Sequence, residues 1–293
     1  MTNDRAGSAD DVTVESVCDV LRDSHAVIPA ACDGPDDLRA ALGAFDGDRV
    51  VVAGGDGSLH LLVNALADLD RLETTDVGLV PMGTGNDFAR GVGLPADPID
   101  AAHVCAHGTS TPIDAIVADD GEVTVNAAHA GMGALASERA QIAKPAVGPL
   151  AYPLAALASG VTVTGYDLTV AVDGSIVNEG TTLFVLAANG PSVGGGASLA
   201  PTADPRDGVL EVLVIGDVPV PERAGLAVRI QRGNHVDHPR VRSYRGETLH
   251  IVGDAVDHSR DGEIRRGLRD VTYTIRPAVW RMLLHGGARR PAT

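Results

Sequence analysis

The sequence predicts an α/β protein in two parts: an N-terminal Rossmann-like parallel sheet with helices on both faces, followed by a C-terminal β-sandwich domain. Three observations carry this. Short apolar runs alternate with helix-like segments through the first third of the chain. Two of those runs stop abruptly at glycine clusters. From about Asp114 the texture changes to short β-rich stretches separated by Gly, Asp and Pro, which read as an antiparallel sandwich or a barrel-like domain. The boundary falls near Pro112, giving domains 1–112 and 113–276, with 277–293 expected to return to the first.

Taken in order, residues 12–23 place apolar side chains at helical spacing. Residues 25–32 can form a short strand, and 35–45 a helix with Asp33 as its cap. The run RVVVA at 49–53 reads as a buried strand; glycines follow at once, then a helix at 59–69. A second buried strand is expected at 77–80. In the second domain, AIVADD, EVTVNAA, LTVAVDG, TLFVLAAN and LEVLVIG read as strands, interrupted by a helical stretch at 148–159. Residues 277–284 read as a final helix or strand.

Composition narrows the function classes. Hydrophobic residues make up 44% of 293, enough for real cores. No 18 apolar residues run together, so no membrane span is expected. The polar, acidic first residues are unlike a signal peptide. Cys18, Cys32 and Cys105 follow no ligand spacing and read as ordinary thiols of a reducing cytoplasm. With 39 acidic against 23 basic residues, the net charge is −16. Lys144 is the one lysine. Such a balance argues against nucleic acid as a partner. It suits a molar-salt cytoplasm, where a Debye length of ~3 Å screens carboxylate repulsion.

Two motifs carry chemistry. VVAGGDGSLHLLVNAL (51–66) runs a strand into Gly54, Gly55, Asp56, Gly57 and Ser58, then into a helix. Glycines let backbone N–H groups approach an anion, and a helix N-terminus adds positive partial charge. Asp56 in such a loop can hold Mg²⁺ or orient a hydroxyl; the plainer reading is a glycine turn with a capping Asp. VPMGTGNDFARGVGLP (80–95) repeats the pattern with Gly83, Thr84, Gly85, Asn86 and Asp87, and Arg90 one turn into the helix. Arg90 could reach a phosphate or be a surface charge. Two such turns about 30 residues apart lie at the carboxyl ends of neighbouring strands, where open α/β sheets bind ligands.

Together these motifs resemble the diacylglycerol and sphingosine kinase family, whose relatives include the NAD kinases. GTGNDFAR matches the family pattern in full. VNAAHAGMGA (125–134), VGPLAYPLAAL (147–157), the block at 187–215 and RDGEIRRG from Arg260 extend the match in the right order. The resemblance implies an ATP-dependent lipid kinase with the site in a cleft between a nucleotide domain and a β-sandwich. It implies ATP at Gly54, Gly55, Gly57, Ser58, Gly83, Thr84, Gly85, Asn86, Asp87 and Arg90. It further implies Asp261 as proton acceptor, Glu263 assisting or binding metal, and Asp56 as Mg²⁺ ligand and competing base. Asp207 resembles a position where relatives hold a structural metal, although Asp207-Gly208, like Asp261-Gly262, also reads as a turn. His129, His235, His238 and His258 lack metal spacing and read as ordinary polar or core residues.

The expected partner is a lipid met at the membrane surface: a diacylglycerol-like, diether or isoprenoid alcohol. No nucleic acid and no transmembrane segment are expected, and a homodimer stays open. The expected location is cytoplasmic, peripheral at the inner membrane face. The apolar stretch at 150–163 is a candidate membrane lip, with a core helix as the alternative. Two departures from the family stand out. His60 and Leu61 replace an Asn-Glu pair. Asn3 to Gly7 resembles a loop that an apolar first strand precedes in relatives; its absence suggests a start further upstream, or a tolerated gap. A NAD kinase, or a degenerate nucleotide- or lipid-binding regulator, are the rival readings.

The charge balance makes one prediction. Urea unfolding midpoints should rise as KCl goes from dilute to molar; full stability in dilute buffer would remove the halophile reading.

Overall fold

The two valine-rich runs become neighbouring strands. In the computed structural model, which describes residues 11–131 and 165–286, β1 (Arg49–Gly54) pairs in parallel with β2 (Asp76–Pro81), Val52 opposite Leu79. The chain divides into two units, 1–114 with 277–293, and 115–276.

The first unit holds five helices among its described residues: α1 (Asp11–Arg22), α2 (Pro35–Gly43), α3 (Asp56–Asp68), α4 (Asp87–Gly91) and α5 (Pro98–His107). α1 packs on α5, and α5 on β2; Val17, Leu21, Val80, Ala101 and Cys105 share one buried cluster. α3 packs on β1 with Leu59, Leu62, Val63 and Leu66 fully buried, worth roughly 1.5–3 kcal/mol each. α3 starts at Asp56, three residues before the apolar pattern suggests. The strand expected at 25–32 forms only an isolated bridge at Ala31, because Pro29 has no N–H to give a ladder. The cap of α2 is Gly34; Asp33 instead donates its backbone N–H to Asp37. The expected helix at 148–159, the apolar stretch at 150–163 and the loop at 3–7 lie outside the described residues.

The second unit is built from β3 (Thr109–Ala118), β4 (Val123–Thr124), β5 (Ala127–Gly131), β6 (Tyr166–Val172), β7 (Ser175–Ala188), β8 (Leu210–Gly216), β9 (Val241–Gly246), β10 (Thr248–Arg260) and β11 (Glu263–Leu284). Between β8 and β9 lie α6 (Val220–Gln231) and a 3₁₀ turn (His235–Asp237). β3 and β11 each begin or end in the first unit, and Arg281 and Met282 of β11 pair in parallel with Asp76 and Val77 of β2. Trp280, just before them, is fully buried, its ring 5.8 Å from Phe88 and its Nε1 donating to the Asp114 carbonyl at 3.1 Å.

This corrects the expected fold class. The strands belong to one 11-stranded sheet, not to a Rossmann-like parallel sheet beside a separate sandwich. β6 pairs antiparallel with β7 and β10, and β5 with the same two, so these four close into an antiparallel barrel with the other strands outside. Parallel pairing among the described registers is confined to β1–β2 and β2–β11. The physical reason is strand length. β7 and β10 run 14 and 13 residues, so each gives one half to β6 and the other to β5. Their internal Gly180 and Gly253 sit at φ +102° and +149°, bending the strand rather than ending it.

The barrel buries two histidines. His258 shares a 2.8 Å hydrogen bond with the Tyr273 hydroxyl, and the His129 ring lies 5.4 Å from Phe184. Burial pushes both imidazoles down to about 4; for His258 the Arg260 charge adds to it. Both side chains are therefore neutral in the native state but protonate near 6.5 when unfolded. Stability should be full above pH 6.5 and fall as pH drops towards about 4, because the unfolded chain binds more protons. Urea titrations followed by Trp280 emission at fixed ionic strength should show this slope, flattened in His129→Leu.

Candidate functional site

The two glycine motifs meet in space within the first unit. An ideal Cβ on Gly83 would stand 2.6 Å from the Cα of Gly55, and one on Gly55 3.1 Å from the Cα of Gly83, so Gly83 has no room for a side chain and Gly55 little. Gly54 is equally constrained: a Cβ there would lie 2.4 Å from Ser58 Oγ. Asp56 ties the loops together. Its Oδ2 accepts the Asp87 N–H at 2.8 Å and its Oδ1 the Phe88 N–H at 3.0 Å. The carboxylate of one glycine loop thus caps the helix of the other, satisfying N–H groups that α4 cannot satisfy itself.

Asn86 completes the second loop. It sits at φ +50°, where Asn is better tolerated than most residues. Its amide accepts from Gly83 N at 3.1 Å and donates to Gly83 O at 2.7 Å. Arg90 donates to the Gly85 carbonyl at 2.9 Å and pairs with the buried Asp87. That arrangement braces the loop, and Thr84 at its tip is exposed. Where the resemblance would place an Asn-Glu pair, His60 is buried and Leu61 half-buried on α3.

The start of α3 fits a polyphosphate. Its N-cap, Gly55, brings no side chain to the first N–H groups. Gly57 is exposed, with nothing within 4 Å of where its Cβ would be. The N–H groups of Gly57 and Ser58 thus meet no capping side chain from Gly55, at the positive end of the helix. α4 differs, because Asp56 already occupies its first donors.

In the second unit, Asp261 stands at φ +50° in the turn between β10 and β11. Its carboxylate accepts three backbone N–H groups: Val125 at 2.6 Å, Asn126 at 2.9 Å and Ala127 at 3.0 Å. This fixes the carboxylate against the 125–127 segment. Glu263, two residues on, is exposed. Asp207 accepts from Val209 N in its own turn and from Arg245 at 2.7 Å, so an arginine answers its charge. No group of three or more potential metal-ligating side chains occurs among the described residues. Magnesium in nucleotide sites uses one or two carboxylates plus the phosphates, so Asp56 beside the α3 N-terminus suits it without such a cage. Cys18 and Cys32 are half-buried free thiols, and burial pushes the Cys105 thiol up to about 12.

Sequence reasoning missed the support under Asp261. The neighbouring Arg260 is fully buried. Its Nη1 donates to both Asp120 oxygens at 2.8 and 2.7 Å and to Glu122 at 2.7 Å. Arg265 takes both Glu122 oxygens at 2.8 and 2.7 Å. Burial opposes the Arg260 charge, but Tyr273 and the two carboxylates outweigh it and raise its pKa. In the sequence, Asp120-Gly121-Glu122 reads only as a turn, and nothing links it to Arg260.

The comparisons agree with this architecture. The family model of the diacylglycerol kinase catalytic domain matches residues 1–118, and that of the YegS C-terminal NAD kinase beta sandwich-like domain matches 126–284. The diacylglycerol kinase of Bacillus subtilis (strain 168) is 30% identical over 228 residues, covering 77% of this chain and 73% of that protein. The one from Staphylococcus carnosus (strain TM300) is 30% identical over 207 residues, 70% and 66% of the two chains. In fold, a diacylglycerol kinase crystal structure from Bacillus anthracis str. Sterne superposes with a TM-score of 0.79 at 21% identity, covering 98% and 96% of the chains. An NAD kinase from Archaeoglobus fulgidus in complex with ATP gives 0.57 at 13% identity, covering 94% and 91%. The chain belongs to the diacylglycerol kinase family. As a member it is an ATP-dependent lipid kinase, a phosphotransferase with an alcohol acceptor. No described helix is long and apolar enough to cross a membrane.

The contact between the loops is open to test. Gly83→Ala should cost roughly 1–3 kcal/mol in urea unfolding, since backbone must shift to admit the methyl. ATP affinity, measured by calorimetry on the folded fraction, should fall with it. Unchanged stability and affinity would show that neither depends on the contact between the loops.

Proposed function

We propose that the chain transfers the γ-phosphoryl group of ATP to the hydroxyl of a diacylglycerol-like, diether or isoprenoid lipid at a membrane surface. The observation that carries the reading is the open N-terminus of α3, held against the second glycine loop by Asp56. Backbone N–H groups of Gly55, Gly57 and Ser58 bind phosphate oxygens there, and Gly54, Gly83 and Gly85 keep the loops close enough to do so. Asn86, Asp87 and Arg90 hold the second loop in shape, with Thr84 exposed to the nucleotide. Mg²⁺, when bound with ATP, neutralises charge on the transferring phosphoryl group. Asp56 is the side chain that would hold it, and Asp207 is a candidate for a separate structural ion.

Asp261 accepts the proton of the lipid hydroxyl, and Glu263 assists. The three N–H donors fix the Asp261 carboxylate in place, which a positioned base requires. Arg260 and its carboxylates hold the strand ends that carry it.

The test is transfer of label from [γ-³²P]ATP with magnesium, offered diacylglycerol, a diether lipid, a polyprenol, sphingosine and NAD. Label should enter a lipid. Asp261→Asn should lose about 10²–10⁴ in kcat at a nearly unchanged ATP KM. Glu263→Gln should lose less. Label in NAD alone would replace the reading with a nucleotide kinase. Absence of label from folded, ATP-binding protein would mark a degenerate binder. An Asp261→Asn defect that disappears once activity is expressed per folded molecule would make Asp261 a structural anchor.

A further inference from the structure

Charge in this acidic chain is segregated. Between Val220 and Gly246 there are six arginines and two carboxylates, in a molecule of net charge −16. The segment spans α6, the 3₁₀ turn beside it and the edge strand β9. The arginines do not share one role. Arg223 is buried, donating to the Val218 carbonyl. Arg245 pairs with Asp207 and Glu211. Arg240 and Arg242 are exposed, but wall a cavity of about 310 Å³ together with Glu179 and Asp217. Arg229 and Arg232, at the end of α6, are exposed and pair with no carboxylate among the described residues.

The same element exposes apolar surface. α6 turns Leu226, Ala227 and Ile230 into the barrel-side core. Its exposed residues are Val220, Pro221, Glu222, Ala224, Gly225 and Val228, followed by Arg229 and Arg232. Val220, Val228 and Val236 are 43%, 43% and 44% exposed, three of the five large hydrophobics in that state among the described residues. Val236 belongs to the 3₁₀ turn that packs against α6. Glu222, the one carboxylate on α6, approaches His238 at 3.8 Å.

We infer that the outward face of α6, with Val236 of the 3₁₀ turn, is the surface by which this chain docks on an anionic lipid bilayer. The inference rests on the lipid-kinase reading for its purpose, but not for its observations. Small apolar side chains seat at the headgroup boundary, and Arg229 and Arg232 meet lipid phosphates beside them. Charge complementarity selects the occupant. Nucleic acid would use the arginines but leave the valines idle. A second copy of so acidic a chain would bring mainly carboxylates, with no reason to cover valines. The inward residues of α6 are packed into the core, so the outward face is already presented to solvent.

Vesicle flotation without ATP or substrate lipid tests the surface alone, at the lowest KCl that keeps the protein folded. Wild type should float with phosphatidylglycerol vesicles and not with phosphatidylcholine vesicles. Arg229→Gln with Arg232→Gln should weaken binding by about 5-fold per arginine, and Val228→Asp should weaken it as well. All three substitutions are at exposed positions and should leave the unfolding midpoint in place. Kinase activity on detergent-dispersed diacylglycerol should be unchanged in these variants, while activity on vesicles falls. Wild type that binds neither vesicle, or variants that bind like wild type, would overturn the inference. So would variants that change only the mass measured by light scattering, which would make the face a contact between copies. Vesicle binding as expected without any kinase activity would sink the kinase reading alone. Activity in detergent without vesicle binding would sink the docking surface alone.

Discussion

The first unit depends on one carboxylate. Asp56 stands at the first position of α3, yet its oxygens are bonded to the first N–H groups of α4. A negative group on the first helix thus meets the positive end of the second. The consequence is an asymmetry. The start of α4 is capped by a side chain, and the start of α3 is not. Gly55 and Gly83 follow from the same constraint, since the carboxylate reaches across only if the backbones come close.

The sequence conveys this unevenly. Both glycine turns, the helices after them and the strands before them can be read from composition and period. So can the residues that form the loops. What Asp56 does cannot be read, because its partners are backbone N–H groups 31 and 32 residues away. Arg90 was open between a phosphate ligand and a surface charge, and the structure gives its fork to Gly85 and Asp87. In these cases residue type was legible and the bonded partner was not.

The topology of the sheet escapes the sequence for a related reason. Gly180 in β7 and Gly253 in β10 look like punctuation between short strands. In the structure they are bends within long ones, and long bent strands can pair with different neighbours at each end. A separate sandwich and a closed barrel share the same local alternation; they differ in which strands meet, and period-two patterning does not encode that. The strand expected at 25–32 failed for a simpler cause, the proline inside it. The Arg260 cluster was invisible because its members lie 138 and 140 residues apart and each is an ordinary surface residue type.

The division of the first unit bears on how the molecule is made. Its last strand pair, Asp76 with Arg281, joins residues separated by most of the chain, and Trp280 enters the core only with that strand. On a ribosome the helices around β1 and β2 emerge early but cannot close their sheet until the second unit has been synthesised. The second unit, continuous from 115 to 276, is complete first. The unit that begins first is therefore completed last, and both glycine loops belong to it.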